Sequence, residues 1–289
     1  MNAPIPFFKK RLDIEGYNAS ILRVDDGYLG LVRSVVYEKP SNFGINSIHE
    51  FRLDSDFKFI SQRRLEDKSN RRIYKSWTTG PEDPRIVSET EFFAVTCDTN
   101  DNWKPEVSKI TMKDGTITQV SPLVAIDVPR VSEKNWILFN SFGEERHFLY
   151  STHPFRFLRL DNHTCKGNIF LEYTIPGLTL VAHNGAVVRI GDDFLLSCRV
   201  KSGHSYKHSV WVLFDSQYKC KGVSPPFRFD PDGWVDSTNS NEFKLGGYEM
   251  NMSSHLETNA LVCCVGINDT YNIVVKYYIE DVLKFINPV

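Results

Sequence analysis

The run Gly80-Pro81-Glu82-Asp83-Pro84-Arg85-Ile86 sets two acids beside an arginine just ahead of an apolar stretch. Carboxylates and a guanidinium at this spacing can donate and accept protons, or grip polar ligands. Pro84 excludes a helix interior and biases Asp83 toward extended backbone. Neighbouring side chains of an extended segment point to opposite faces. Glu82 and Asp83 are therefore expected not to face one substrate together. One acid works while the other pairs with Arg85 or caps backbone. Residue types alone favour the ordinary alternative, a solvated turn carrying an ion pair. A second cluster, Gly203-His204-Ser205-Tyr206-Lys207-His208, reads equally as a solvated hairpin loop or as a cationic ligand site.

The elements around these residues read as strands. Tyr28–Arg33, His49–Leu53, Glu91–Cys97, Val107–Met112, His147–Ser151, Gly185–Ile190, Phe194–Val200 and Ser209–Asp215 are short and rich in aromatic or β-branched residues. Asp-Gly and Gly-Asp turns punctuate them. Near residues 25, 90, 145, 190 and 260 a turn precedes an apolar strand, and a second strand then ends in an acidic turn. That spacing makes five degenerate units of roughly 50 residues, the size of four-stranded propeller blades. Ile273–Tyr278 reads as a last strand and Ile279–Phe285 as a short closing helix. No Gly, Ser or Pro linker divides the chain, so residues 1–289 are expected to form one domain.

Composition narrows the function classes. The formal net charge is −2, with no long basic run, which argues against nucleic-acid binding. No apolar run approaches a membrane span. The N-terminus lacks the apolar core of a signal peptide, and six cysteines without a C-x-x-C pair fit reduced thiols, so a cytoplasmic location is expected. Four N-x-[ST] sequons are then accidental. Phosphate-binding glycine loops, G-x-S-x-G and H-E-x-x-H are absent, and neither a cofactor nor a metal is expected. Aromatics reach 13 %, which suits strands and also sugar-stacking surfaces.

Several short motifs, taken in order, carry a family resemblance. Glu82-Asp83-Pro84-Arg85 resembles the E-D-P-R signature of glycoside hydrolase family 130, the β-mannoside phosphorylases and mannosidases, and of related propeller mannosyltransferases. Glu133-Lys134-Asn135-Trp136, Tyr150-Ser151-Thr152-His153-Pro154, His183-Asn184-Gly185-Ala186 and Val265-Gly266-Ile267-Asn268-Asp269 resemble later elements of the same fold. Asn18-Ala19-Ser20-Ile21 with Arg33 resembles its opening. The resemblance implies an all-β, five-bladed β-propeller closed with help from the N-terminal segment. It implies inverting cleavage or formation of a β-mannoside-like bond by phosphorolysis or hydrolysis. Transfer from a nucleotide sugar or sugar phosphate donor is the alternative, and a non-catalytic sugar-binding propeller is the third. Asp83 becomes the proton donor. Arg33, Glu82, Arg85, Asn135, Tyr150, His183 and Asp269 become substrate-binding residues. Inorganic phosphate or a charged donor would need cations, for which Lys134, Arg199, His204 and Lys207 are the main candidates, with Arg130 and His208 beside them. Asn184 departs from the family's glycine, as do Ile86-Val87-Ser88 after the signature; this leaves the sugar and the attacking group open.

Overall fold

The computed structural model describes the backbone of residues 3–39, 43–69, 78–102, 104–129, 134–176, 178, 181–202, 205–231 and 248–289, and their side chains except at 181–184, 201–202 and 205–207. Its strands form five mainly antiparallel sheets, the blades of a β-propeller. Blade 1 runs from the axis outward as Tyr17–Val24, Gly27–Glu38, Phe43–Leu53 and Phe59–Arg64. The innermost strands of blades 2 to 5 are Glu82–Ser88, Ile137–Phe142, Val181–Ile190 and Glu249–Glu257. The expected turns are the hairpins that join each innermost strand to the next.

Burial explains which residues became strands. Middle strands are covered on both faces, as in Ala260–Ile267 and Glu91–Thr96, so they read as near-continuous apolar runs. Outer strands such as Phe59–Arg64 are largely exposed. Five apolar clusters fill the five seams between neighbouring blades. Leu31, Ile48 and Phe92 join blades 1 and 2; Phe93, Trp136 and Phe148 join 2 and 3; Phe139, Phe157 and Phe214 join 3 and 4. Trp211, Tyr277 and Phe285 join 4 and 5, and Tyr28, Phe51 and Val274 join 5 and 1. Phe285 belongs to the helix Ile279–Phe285, found where it was expected.

The N-terminal strand closes the ring, and the C-terminal strand ties blade 5 back to blade 4. Phe8–Arg11 pairs antiparallel with Tyr271–Tyr278 as the outermost strand of blade 5, and Asn287–Pro288 pairs with Cys220–Val223 on blade 4. Closure of this kind holds the first and last blades side by side and leaves only short outer edges. Lys9 reinforces it with an ion pair to the buried carboxylate of Asp230, 2.9 Å away. Every innermost strand is bulged where it meets its neighbour. A bulge re-aims side chains, and in blades 1 and 2 it brings Asn18 and Asp83 together.

Candidate active site

Two bulges build the centre. Asn18 and Asp83 lie in the bulges of blades 1 and 2 with φ of 57° and 53°, and Asn135, just ahead of the innermost strand of blade 3, has φ of 62°. This is the left-handed region, which Asn and Asp tolerate best among non-glycine residues. Asp83 is thus not extended, despite the bias from Pro84. The correction matters, because the bulge lets Glu82 and Asp83 line one cavity together.

Asn18 is the hub. It is 1 % exposed, and its Nδ2 donates to Asp83 Oδ1 at 2.9 Å and to Asp269 Oδ1 at 2.7 Å. Its Oδ1 is buried with no partner. That end packs so close to Gly266 that a Cβ there would sit 2.4 Å from it. Asp83 and Asp269 therefore approach each other through one amide. Burial, with the Asp83 charge beside it, pushes the Asp269 carboxyl above its ordinary range, although hydrogen bonds from Tyr248 and Asn18 oppose this. Burial likewise raises the phenols of Tyr17 and Tyr248, which stay neutral donors.

Arg33 carries the balancing charge. Its Nη1 lies 3.2 Å from Asp83 Oδ1, its Nη2 3.6 Å from Glu82 Oε1, and its Nε donates to Asn46 Oδ1 at 2.7 Å. Burial works against its charge, but Asp83 and Glu82 outweigh it and hold the guanidinium above its ordinary value. Glu82 also accepts from Thr78 Oγ1 at 3.2 Å and faces Lys134 Nζ at 4.0 Å. The partner of Glu82 is thus Arg33 with Lys134, not Arg85. Arg85 turns the other way, donating to the backbone carbonyls of Gly185 and, at 3.4 Å, Met252. It ties blade 2 to blades 4 and 5 beneath the site. Burial, only partly offset by Asp83, lowers its pKa to about 10.

Above this layer lies a cavity of about 180 Å³. Asn18, Glu82, Asp83, Asp269, Lys134, Asn135, Arg199 and Tyr248 are among its lining. Seven of the residues expected at the site thus meet here or bond directly into it: Arg33, Glu82, Asp83, Lys134, Asn135, Arg199 and Asp269. Tyr150 does not reach it. It sits in the seam between blades 2 and 3 and packs on Trp136, ring centroids 5.2 Å apart. His183 falls in the bulge of blade 4, but its side chain, like that of Lys207, lies outside the described residues, as do His204 and Arg130 altogether. Asn18 and Tyr248 were not among the expected site residues. Asn18 had a signal, since Tyr17-Asn18-Ala19 and Glu82-Asp83-Pro84 occupy the same place in successive blades. Tyr248 had none. Among the described residues no group of three His, Cys, Asp or Glu could hold a metal ion, and no helix is long and apolar enough to cross a membrane.

No family model matches the chain, and no curated protein matches it. Solved structures do. A glycosyl hydrolase from Bacteroides ovatus superposes with a TM-score of 0.66 at 12 % identity, over 99 % of this chain and 91 % of that one. A structure reported for glycoside hydrolases of the GH130 family of mannoside phosphorylases, acting on β-1,2-mannosidic linkages in Candida mannan, gives 0.63 at 12 % identity over 100 % and 92 %. A β-1,2-mannobiose phosphorylase from Listeria innocua, solved with β-1,2-mannobiose, gives 0.62 at 12 % identity over 98 % and 94 %. At this identity the likeness speaks for the fold, a five-bladed propeller resembling those enzymes.

Proposed function

We propose that this protein is a carbohydrate-active enzyme that makes or breaks a β-mannoside-like glycosidic bond with inversion, and that Asp83 is its proton donor. One observation carries the reading. The Asp83 carboxyl sits in a strained bulge at the wall of an axial cavity, held by buried Asn18 and by Arg33, with a second carboxyl beside it. Strained, partly desolvated carboxyl pairs are characteristic of sites that move protons. Asp83 and Asp269 share the Asn18 amide, and on this reading the Asp83 proton passes to the departing glycosidic oxygen, directly or through a sugar hydroxyl. The likeness in fold to sugar-processing enzymes supports this chemistry.

The cavity volume of about 180 Å³ favours one sugar ring. Pockets for drug-sized ligands begin at roughly 300 Å³, which speaks against a nucleotide-sugar donor. Phosphorolysis fits better than hydrolysis. Both Asp83 and Asp269 lie within 3 Å of Asn18 Nδ2, so their nearest oxygens are less than about 6 Å apart. An inverting hydrolase needs carboxyls about 6.5–9.5 Å apart to seat its water. Phosphate needs no base, and Lys134 and Arg199 in the cavity lining supply cations. A phosphate oxygen then attacks the anomeric carbon as the bond to the leaving oxygen breaks and that oxygen takes the Asp83 proton. The same closeness supports one second reading, double displacement with retention, whose carboxyls lie about 5–5.5 Å apart.

The test is a product screen with β-linked manno- and galacto-disaccharides, with and without inorganic phosphate, and with sugar 1-phosphates or nucleotide sugars in reverse. Phosphate-dependent release of an α-sugar 1-phosphate is expected. A β-configured product overturns inversion, and phosphate-independent release overturns phosphorolysis. No turnover with any donor returns the protein to sugar binding alone.

A further inference from the structure

The second and third strands of blade 1 outrun its innermost strand. Tyr17, the first residue of that strand, pairs with Arg33, yet the outer pair continues in register from Ser34↔Ser47 to Glu38↔Phe43. Five residue pairs therefore project about 16 Å past the end of the strand that carries Asn18. Side chains of a ribbon alternate, and directly paired residues share a face. Arg33, Val35 and Tyr37 thus share one face with Tyr17, Asn46 and Gly44.

That face borders the cavity. Arg33 holds Asp83, and its guanidinium carbon lies 5.3 Å from the Tyr17 ring centroid. Asp83, Asp269 and Tyr37 all lie within electrostatic reach of the Tyr17 phenol. Tyr37 lies opposite Gly44, where a Cβ would be 3.6 Å from Tyr37 Cε1 and 3.5 Å from Thr78 Oγ1. Thr78 in turn bonds Glu82 in the cavity wall. Tyr37 is nonetheless 62 % exposed. A large ring held over a glycine, on the face that carries Arg33 and Tyr17 to the cavity residues, and left open to water, has apolar area to offer a ligand.

We infer that Tyr37 forms the platform of a second saccharide subsite, on which the ring next to the one in the cavity stacks; this rests on the function proposed above. The cavity has room for a single ring, so the remainder of an oligosaccharide must leave along its mouth. A pyranose presents C–H bonds on one face. Packing that face on an aromatic ring buries apolar area while the hydroxyls stay in water. Tyr17 and Arg33 continue the same face inward, so the subsite joins the cavity without a gap. It acts on disaccharides and longer chains and leaves monosaccharides untouched.

The test compares wild type, Tyr37→Ala and Tyr37→Phe by calorimetric titration with β-1,2-mannobiose, β-1,4-mannobiose and β-1,3-galactobiose, and with methyl β-mannoside and methyl β-galactoside. Tyr37→Ala is expected to weaken the disaccharide that wild type binds by roughly tenfold. The matching methyl glycoside should bind unchanged, the melting temperature should hold, and Tyr37→Phe should bind as wild type does. Equal losses for disaccharide and monosaccharide, or no loss for either, overturn the subsite while leaving the proposed function standing. Should wild type bind none of these sugars, the proposed function falls and the subsite with it.

Discussion

The innermost strand of blade 5, Glu249–Glu257, begins at the cavity with Met250 among its lining and ends about 25 Å away at a second polar cluster. There Glu257 meets Lys276 Nζ at 2.6 Å, Arg23 Nη1 at 3.6 Å, His255 Nε2 at 3.5 Å and the Tyr28 hydroxyl. Burial works against the Glu257 charge, but Lys276 and Tyr28 overcome it and lower the carboxyl below its ordinary range. One carboxylate with several donors is satisfied within the fold. At the cavity end two carboxyls lean on one amide, a third shares Arg33, and Asp269 is raised. The two ends use similar residue types in different proportions. The surplus of donors at the seam of blades 5 and 1 makes a structural clasp. At the axis three carboxyls share their donors and Asp269 is raised, so proton affinity remains there for chemistry.

Three variants test this contrast. Arg85→Ala removes the half-buried cation beneath the cavity and strands the carbonyls of Gly185 and Met252. It should cost about 3 kcal/mol or more of stability, read as a large fall in denaturant midpoint. A shift near zero would mean that Arg85 does not join the blades. Asp269→Asn should lower turnover by about 10²-fold or more without lowering the melting temperature at pH 7. The sign follows from linkage. A raised carboxyl pKa means that the folded state binds more protons, so wild-type stability falls as pH rises above the unfolded value of about 3.9. The neutral amide escapes that loss, so any gain in melting temperature should vanish below about pH 4.

Glu257→Gln should behave oppositely, losing about 1–2 kcal/mol at pH 7 with turnover unchanged. The depressed carboxyl contributes stability above its unfolded pKa of about 4.3 and loses it as pH falls through the folded value. The gap between wild type and Glu257→Gln should therefore close in acid. A turnover defect in this variant would dissolve the distinction between clasp and site.

The blade rhythm was legible because hairpins need turn residues, and Asp25-Asp26-Gly27, Glu89-Thr90 and Gly191-Asp192 mark them. Asp83 and Asp269, 186 residues apart in sequence, could be assigned together only through family resemblance; nothing local links them. The partner of Glu82 was not legible, because the Pro84 rule describes average backbone and the bulge at Asp83 is a local exception. Tyr150 illustrates the converse. A strand tyrosine reads alike from either face, and here the seam won it over the axis. The shared amide of Asn18 depends on Gly266 from another blade, a contact that sequence order hides.

The most direct probe of Asp83 as acid is its dependence on the leaving group. A dinitrophenol departs without a proton, whereas a sugar alcohol does not. Asp83→Asn should lose about 10²–10⁴ in rate on a disaccharide and keep a rate within about tenfold of wild type on the matching 2,4-dinitrophenyl β-glycoside, with an unchanged melting temperature. Equal losses on both substrates would show that Asp83 does not deliver the proton.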